Sequence, residues 1–290
     1  MTAALFAEQV LNGLQLGVML FLMAAGLTLV FGIMNLINLA HGSLYMMGAY
    51  LTATFQQATG SFFLGLLLAL PATAVVAMLV ELVALRQLYD RDHLDQVLAT
   101  FGLILFFNEL TRIIWGPSAY FLDVPEVLSG TVEVLPGIPY PAFRLAILLA
   151  GLAVAAFLFF LIARTRLGML IRAGASNREM VSALGVDIRL LYTLVFGLGA
   201  ALAALAGGMA GPILAVQVGM GESILILTFV VIVIGGIGSV HGALVAALLV
   251  GLVDTFGSVL LPAAAAEIAI YLLMALILVW RPSGLFPVNA

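Results

Sequence analysis

Long apolar runs, separated by short polar stretches, dominate the pattern of the chain. A helix needs roughly 20 mostly apolar residues to cross about 30 Å of hydrocarbon. By that criterion the pattern predicts nine spans, and eight or ten would also fit, because boundaries read from one sequence shift by several residues. The predicted runs are 9–31, 43–59, 62–85, 96–115, 144–163, 190–212, 224–238, 243–261 and 267–280. We therefore expect one all-α, polytopic membrane bundle over residues 1–290.

Composition strengthens this interpretation and removes several functions. Hydrophobic residues make up 64% of the chain and charged residues 8%, whereas a soluble domain carries roughly 25% charged residues. The chain has no cysteine, which excludes disulfides and cysteine-bound metals. Every cation is an arginine, so neither the lysine of a P-loop nor that of a Schiff base is present. If ATP powers this protein, another subunit must hydrolyse it.

Arginine placement predicts the orientation of the bundle. Half of the ten arginines lie in one polar segment, residues 164–189, and Arg86, Arg91 and Arg281 follow other runs that end on the same side. Arginine-rich loops mark the cytoplasmic side of a membrane. The loop 116–143 is then external, and its scattered prolines predict little regular structure. An odd number of spans places the amino terminus outside and the carboxyl terminus in the cytoplasm.

Two glycine-rich interruptions, residues 31–48 and 234–251, break the helical pattern. Both contain histidine, glycine, a small residue and leucine in that order, beginning at His41 and at His241. Matching interruptions in two halves of a membrane protein are typical of internal repeats whose broken or re-entrant helices form a transport site. Chance similarity is the alternative, because only four positions align.

The same interruptions supply candidate residues for a substrate pathway. Polar groups at membrane depth need partners or water, so they tend to face the bundle interior or a translocation path. The alternative is that these side chains only bond to backbone groups freed at the breaks, or that His241 lies at a helix start. The pathway candidates are Asn35, Asn38, His41, Gly42, Gly235, Gly236, Ser239 and His241.

Other polar residues indicate structure rather than chemistry. Glu109 and Arg112 lie three residues apart within a span and are expected to neutralise each other. The segment 90–95 is acidic but lacks the glycine and the final glutamate of a calcium loop. No metalloprotease motif or nucleophile elbow occurs, so we expect no catalytic residue, metal or cofactor.

Three ordered segments carry a resemblance to a known family: residues 31–50, 171–186 and 233–243. They resemble the branched-chain amino acid ABC transporter permeases of the LivH type, and the similarity covers nearly the whole chain. The resemblance implies a multi-pass protein of the bacterial inner membrane, surrounded by lipid and without nucleic acid. It also implies a second homologous permease, two cytoplasmic ATP-binding subunits and a periplasmic substrate-binding protein. Related permeases serve other amino acids, amides and urea, so the small-molecule substrate is less well specified.

The resemblance also implies that segment 164–189 contains the helix that docks into the ATP-binding subunit. The residues themselves predict a short helix over 175–184, with Ser176 or Asn177 as its N-cap and Gly185 ending it in a left-handed conformation. The alternative is a basic loop that only sets topology. The candidate coupling residues are Arg172, Asn177, Arg178, Glu179, Leu184 and Gly185.

The predicted mechanism is alternating access, driven by ATP hydrolysis in the partner subunits. A neutral amino acid carries both charges, so its path needs few fixed ions and can use amides and backbone dipoles. The scarcity of charge within the spans fits that path, and it equally fits a passive channel or a stand-alone secondary transporter for small polar solutes.

Overall fold

The computed structural model describes residues 3–135 and 137–287, most of which are helical. The helices are α1 Ala3–Met34, α2 His41–Thr59, α3 Phe62–Val83, α4 His93–Trp115, α5 Ala142–Arg164, α6 Arg166–Ser176, α7 Arg178–Ala183, α8 Ile188–Ala210, α9 Met220–Gly235, α10 Val240–Leu260 and α11 Ala263–Trp280. Short 3-10 turns occupy Leu85–Leu88 and Glu126–Leu128. An antiparallel hairpin pairs β1 Thr131–Leu135 with β2 Ile138–Pro141. The prediction of a polytopic helical membrane protein is confirmed.

Each of the nine predicted runs forms a helix, but two of them differ from ordinary spans. Within the described part of the chain, seven helices are long and apolar enough to cross a membrane: α1, α3, α4, α5, α8, α10 and α11. Helix α9 has only 16 residues. Helix α2 has 19 residues and carries more polar side chains, and its first ten residues are all buried. These two shorter or more polar helices lie beside the two breaks in the helical pattern.

Helices α1 and α8 form the centre of the bundle. In the most apolar window of α1, 83% of the residues are buried, whereas in α11 only 11% are. Small residues allow the central helices to approach closely. A methyl group on Gly48 of α2 would lie 2.3 Å from the Ala204 Cα of α8, and one on Gly17 of α1 would lie 2.8 Å from the Leu248 Cα of α10. Glycine at these positions therefore sets the helix spacing.

Tertiary contacts define two ends of the bundle. The loop 116–141 lies at one end, which we call the loop end; there Tyr140 and Arg144 both donate to the Asn12 Oδ1 of α1. The other end, which we call the arginine-rich end, contains Arg86, whose guanidinium donates to Thr193 at the start of α8. Ile33 at the end of α1 packs on Gly174 of the arginine-containing α6, so α1 runs from the loop end to the arginine-rich end.

The loop 116–143 contains more regular structure than its prolines predict, so that expectation was wrong. Three of the five residues of Thr131–Leu135 are β-branched, which favours a strand. Gly137 has φ of 80° and turns the chain into the second strand. Tyr120 also forms a two-way backbone bridge with Val216, each N–H···O distance being 2.8 Å. These contacts attach the loop to the segment that precedes α9.

Candidate functional site

The first break follows α1 and is held by two asparagines. Asn35 has φ of 51°, and its N–H closes the last turn of α1 on the Phe31 carbonyl at 2.9 Å. Asparagine adopts this left-handed conformation more readily than other non-glycine residues. The Asn38 Oδ1 accepts the Ala40 N–H at 3.1 Å, just before α2 begins. Both asparagines thus shape the break, and only Asn35 is exposed.

The second break separates α9 from α10 and is held by glycines and a serine. Gly236 and Gly238 have φ of 101° and 83°. The Ser239 Oγ accepts the Gly242 N–H at 3.0 Å and caps α10. After α11 the chain returns to this place, where the Leu285 N–H donates to the Ile234 carbonyl at 2.8 Å. The carboxyl-terminal segment therefore satisfies backbone groups that the end of α9 leaves free.

The two breaks face each other at the arginine-rich end. A methyl group on Gly32 would lie 3.3 Å from the Gly238 Cα. Both breaks have the same order of elements, since each ends one helix and opens the next at a His-Gly pair, His41 in α2 and His241 in α10. This order is what an internal repeat predicts, and the repeat stays a prediction.

The coupling segment forms two helices rather than one. The Thr165 Oγ1 caps α6, and the extended backbone of Asn177 separates α6 from α7. The Asn177 Oδ1 accepts the Met180 N–H at 2.9 Å, so the N-cap prediction is confirmed for Asn177 and not for Ser176. Gly185 has φ of 87°, which confirms the left-handed end. The predicted short helix over 175–184 is present as α7, but it begins only at Arg178, because Ser176 still belongs to α6, which was not predicted.

The candidate coupling residues share an exposed surface. Arg172, Asn177, Arg178, Glu179, Leu184 and Gly185 are all exposed, and Leu184 is 76% exposed. The opposite side of the segment is buried through Ile171, Gly174 and Val181. A methyl group on Gly174 would lie 3.1 Å from the Ile33 Cδ1 at the end of α1. The segment therefore presents one side for a partner and packs its other side against the first break.

A cavity of about 870 Å³ joins the coupling segment to both breaks. Such a volume is within the range of about 300–1,000 Å³ that is typical of small-molecule sites. From the predicted pathway set the cavity contains Asn35, Ser239 and His241, and from the coupling set it contains Arg172, Asn177, Arg178 and Glu179. The His241 ring stacks on Phe159 with centroids 4.4 Å apart. The two predicted groups of residues thus meet at one place.

The other pathway candidates do not lie on the wall of this cavity. Asn38 and His41 are fully buried. Neither nitrogen of the His41 ring forms a hydrogen bond, although the Met23 backbone lies nearby. The glycines Gly42, Gly235 and Gly236 instead approach the backbone of other segments, as methyl groups there would lie 2.3, 2.5 and 2.8 Å from backbone atoms. These five residues therefore pack inside the bundle next to the breaks and not on the cavity wall.

Sequence reasoning missed a buried polar cluster around Glu81 of α3. The Glu81 carboxylate is 0% exposed and contacts the Arg86 guanidinium at 3.2 Å. The Thr193 hydroxyl donates to it at 2.6 Å, and the Tyr89 hydroxyl donates as well. Burial raises the pKa of Tyr89 and this hydrogen bond raises it further, so the hydroxyl keeps its proton. A single acid inside an apolar run was the available signal, because such acids pair inside the bundle.

Gln96 was also missed. The Gln96 Oε1 accepts the Ile37 N–H of the first break at 3.3 Å. Its Nε2 donates to the carbonyls of Leu88 and Arg91 at 3.1 and 3.2 Å. This amide therefore ties the first break to the polar turn between α3 and α4. An amide at the start of a span resembles an ordinary boundary residue, so the sequence alone gave no signal for it.

Comparison with known proteins agrees with the resemblance. A family model described as branched-chain amino acid transport system, permease component, matches residues 9–279. The chain is 30% identical to the high-affinity branched-chain amino acid transport system permease protein BraD of Pseudomonas aeruginosa, over 97% of this chain and 95% of that protein. It is 28% identical to the permease protein LivH of the same kind of system in Escherichia coli K12, with the same coverage.

Another organism provides a further relative. The probable branched-chain amino acid transport permease protein LivH of Methanocaldococcus jannaschii is 28% identical over 82% of this chain and 76% of that protein. No solved structure matches the chain. The family match extends from the early part of α1 almost to the end of α11. The chain therefore belongs to the permease component family of branched-chain amino acid transport systems.

Proposed function

We propose that this chain is a transmembrane permease subunit of a binding-protein-dependent ABC importer for branched-chain or related amino acids. It acts in the bacterial inner membrane with a second homologous permease and two cytoplasmic ATP-binding subunits. A periplasmic binding protein delivers the substrate. Family membership supports the transport class, and the shared cavity supports the route by which ATP hydrolysis elsewhere drives it.

Orientation follows from the arginines. Eight of the ten belong to the arginine-rich end or to the segments that lead into it: Arg86, Arg91, Arg164, Arg166, Arg172, Arg178, Arg189 and Arg281. Because cationic loops stay in the cytoplasm, this end faces the ATP-binding subunits. The amino terminus then lies outside and the carboxyl terminus in the cytoplasm. The loop 116–141 is left for the side from which the binding protein arrives.

The single observation that carries the proposal is the position of the coupling segment. Its exposed side contains Arg178 and Glu179, while its buried Gly174 packs on Ile33, next to the first break. Displacement of α7 by a partner would therefore act on α6 and then on the end of α1. Packed elements of this kind tend to switch between discrete arrangements rather than deform continuously.

The cavity lined by both breaks is the proposed cytoplasmic part of the pathway. Asn35, Ser239 and His241 offer neutral hydrogen-bonding groups there, and the coupling segment adds charges of both signs through Arg172, Arg178 and Glu179. A neutral amino acid carries one positive and one negative group, and such groups suit it better than a strong site of one sign. ATP binding shifts the population between inward-open and outward-open arrangements only if the ATP-binding subunits favour one of them.

The test uses the exposed coupling residues. Glu179→Arg reverses a charge on the docking side of α7, and Gly185→Val places a β-branched residue at a φ of 87°. We expect both variants to insert normally and to lose most co-purification with the ATP-binding subunits. Gly185→Asn is the matched control, because asparagine tolerates the left-handed conformation and should retain co-purification.

Two outcomes would contradict this account, the first by refuting the docking role and the second by refuting the backbone explanation for Gly185. In one, Glu179→Arg and Gly185→Val keep wild-type co-purification and wild-type uptake. In the other, Gly185→Asn loses as much co-purification as Gly185→Val, which would show that the backbone conformation is not what matters. Membrane insertion is measured in parallel by the amount of chain in the washed membrane fraction.

A further inference from the structure

A carboxylate without a cationic partner lies on an exposed side of the bundle. Glu222 in the first turn of α9 is exposed, and its Oε1 accepts the Asn108 Nδ2–H of α4 at 2.6 Å. No ion pair to Glu222 exists among the residues that the structure describes. The carboxylate therefore has a neutral partner only.

This pair lies at membrane depth. Asn108 precedes Trp115, the last residue of α4, by seven residues, which is about 10 Å along a helix. Helix α4 is one of the seven helices that qualify as spans. Charged side chains inside a span face protein or water rather than lipid. The exposed side that contains Glu222 therefore faces a polar surrounding in the working transporter.

A neighbouring acid shows what a neutralised carboxylate looks like in this chain. Glu109 follows Asn108 on α4 and is 61% exposed, but its Oε1 contacts the Arg112 guanidinium at 2.7 Å. That contact confirms the predicted pair. Glu222 differs from Glu109 in just this respect, since an amide cannot neutralise a carboxylate. A positive group from outside the chain would complete the site.

The surroundings of Glu222 form a closed crevice between α2, α4 and α9, which has no room for a water molecule, so a ligand would contact Glu222 from its exposed side. Gly42 and Ser43 of α2 line it together with Asn108, Gly221 and Glu222. Gly42 and Gly221 touch so closely that a methyl group on either would lie within 2.3 Å of the other's carbonyl oxygen. The crevice therefore starts beside the first break, where the backbones of α2 and α9 are in direct contact.

Unused hydrogen-bonding groups lie on the same helices. The Thr111 and Tyr50 hydroxyls are buried and have no hydrogen-bond partner. Thr111 is one turn beyond Asn108 on α4, and Tyr50 is one turn beyond Met46 on α2, which also lines the crevice. Buried polar groups normally find partners. Along their helices both residues lie between the crevice and the loop end.

We propose that Glu222 and Asn108 bind the ammonium group of the amino-acid substrate as it passes from the loop end into the bundle. The inference rests on the proposed function, because it assumes an amino acid as cargo. A carboxylate supplies the charge that an ammonium group needs, and the Asn108 amide fixes the orientation of that carboxylate. The site is a transit contact, so it discriminates by the presence of the ammonium group rather than by the side chain.

The test exploits the absence of cysteine from the chain. Single variants Glu222→Cys, Asn108→Cys and Leu105→Cys are treated in membranes containing the assembled transporter with a membrane-impermeant, positively charged thiosulfonate. Leu105 is 53% exposed on α4, carries an apolar side chain and serves as the control. We expect labelling at Glu222 and Asn108 at least about tenfold faster than at Leu105, because thiolates form in water and not in hydrocarbon.

Substrate protection identifies the ligand. Leucine should slow labelling of Asn108→Cys, which keeps the Glu222 carboxylate, during turnover, whereas 2-hydroxy-4-methylpentanoate, which lacks the ammonium group, should not. Labelling no faster than at Leu105, or equal protection by both compounds, would overturn the proposal. The first result would place the pair against lipid or a protein partner, and the second would show that the ammonium group is not recognised.

A transport measurement separates this inference from the proposed function. Glu222→Gln should lower ATP-driven leucine uptake by about tenfold, the loss expected for one charge-assisted hydrogen bond. The matched control Glu109→Gln, which removes the neutralised acid, should stay within about twofold of wild type. If wild type transports and Glu222→Gln equals it, the ammonium contact is refuted and the importer assignment stands. If wild type shows no ATP-driven uptake, the assignment itself fails.

Discussion

Replacing Glu81 by glutamine should destabilise the bundle more than any equivalent change on its surface. The carboxylate is fully buried and accepts from three side chains, Arg86, Tyr89 and Thr193. Glutamine keeps the volume, but one of the two acceptor oxygens is replaced by an NH₂ group. That group would face the donors that the carboxylate oxygen had accepted, so these donors would lose their partner. The three contacts also lose their charge assistance, which is worth about 1 kcal/mol for each bond.

The expected cost is about 2–4 kcal/mol, below the about 3–5 kcal/mol for breaking a fully buried pair, because Arg86 is 30% exposed. At about 2–4 °C for each kcal/mol, this corresponds to a lowering of Tm by about 4–16 °C. The assay is thermal unfolding of the purified chain in detergent, read by the loss of its monodisperse peak. Glu126→Gln, at an exposed acid in the external loop, is the control and should shift Tm by less than about 2 °C.

A second substitution shows whether the pair or the packing matters. Glu81→Leu combined with Arg86→Leu removes both charges, so it should be less harmful than Glu81→Leu alone. Equal Tm values for Glu81→Gln and Glu126→Gln would refute the reasoning. So would a double variant that is less stable than Glu81→Leu alone.

Two further predictions concern backbone geometry and helix spacing. Gly48→Ala should cost about 1–3 kcal/mol, because its methyl group would meet the Ala204 backbone at 2.3 Å, whereas Gly102→Ala, with no atom within 4 Å, should leave Tm unchanged or raise it slightly; similar losses in both variants would contradict the packing argument. Asn35→Gly should keep Tm near wild type and Asn35→Val should destabilise the chain by about 1–3 kcal/mol, since φ of 51° suits glycine and strains a β-branched residue; equal Tm values in both variants would show that the left-handed turn is dispensable.

The sequence predicted the helices well because their signal is local. Apolar runs of about 20 residues identify spans by length alone, and glycine or asparagine near the ends of helices identifies caps. Asn177 and Gly185 were therefore found in advance, with the conformations that the structure gives them. Helix α6 of the coupling segment was not predicted, because the run 166–176 is too short and too polar to be distinguished from a loop.

The site was predicted less completely, because tertiary contacts decide which polar residue is exposed to a cavity. Asn35 and Asn38 look alike in sequence, yet one is exposed at the cavity and the other is buried, with its side chain accepting the Ala40 N–H. His41 and His241 occupy equivalent places in similar motifs, but the first is enclosed by α1 and α8 while the second lines the cavity. Pairings across about one hundred residues, such as Glu81 with Thr193, leave no trace in a single sequence.

The importer account depends most directly on whether transport through this chain requires partner ATPases. Proteoliposomes are prepared with the chain and its second permease, with or without the ATP-binding subunits. Binding protein carrying radiolabelled leucine is supplied on the side of the loop end, and ATP on the side of the arginine-rich end. The account predicts leucine accumulation only when the ATP-binding subunits and ATP are both present. Uptake at a comparable rate by the permeases alone would contradict it and would favour a channel or a secondary transporter.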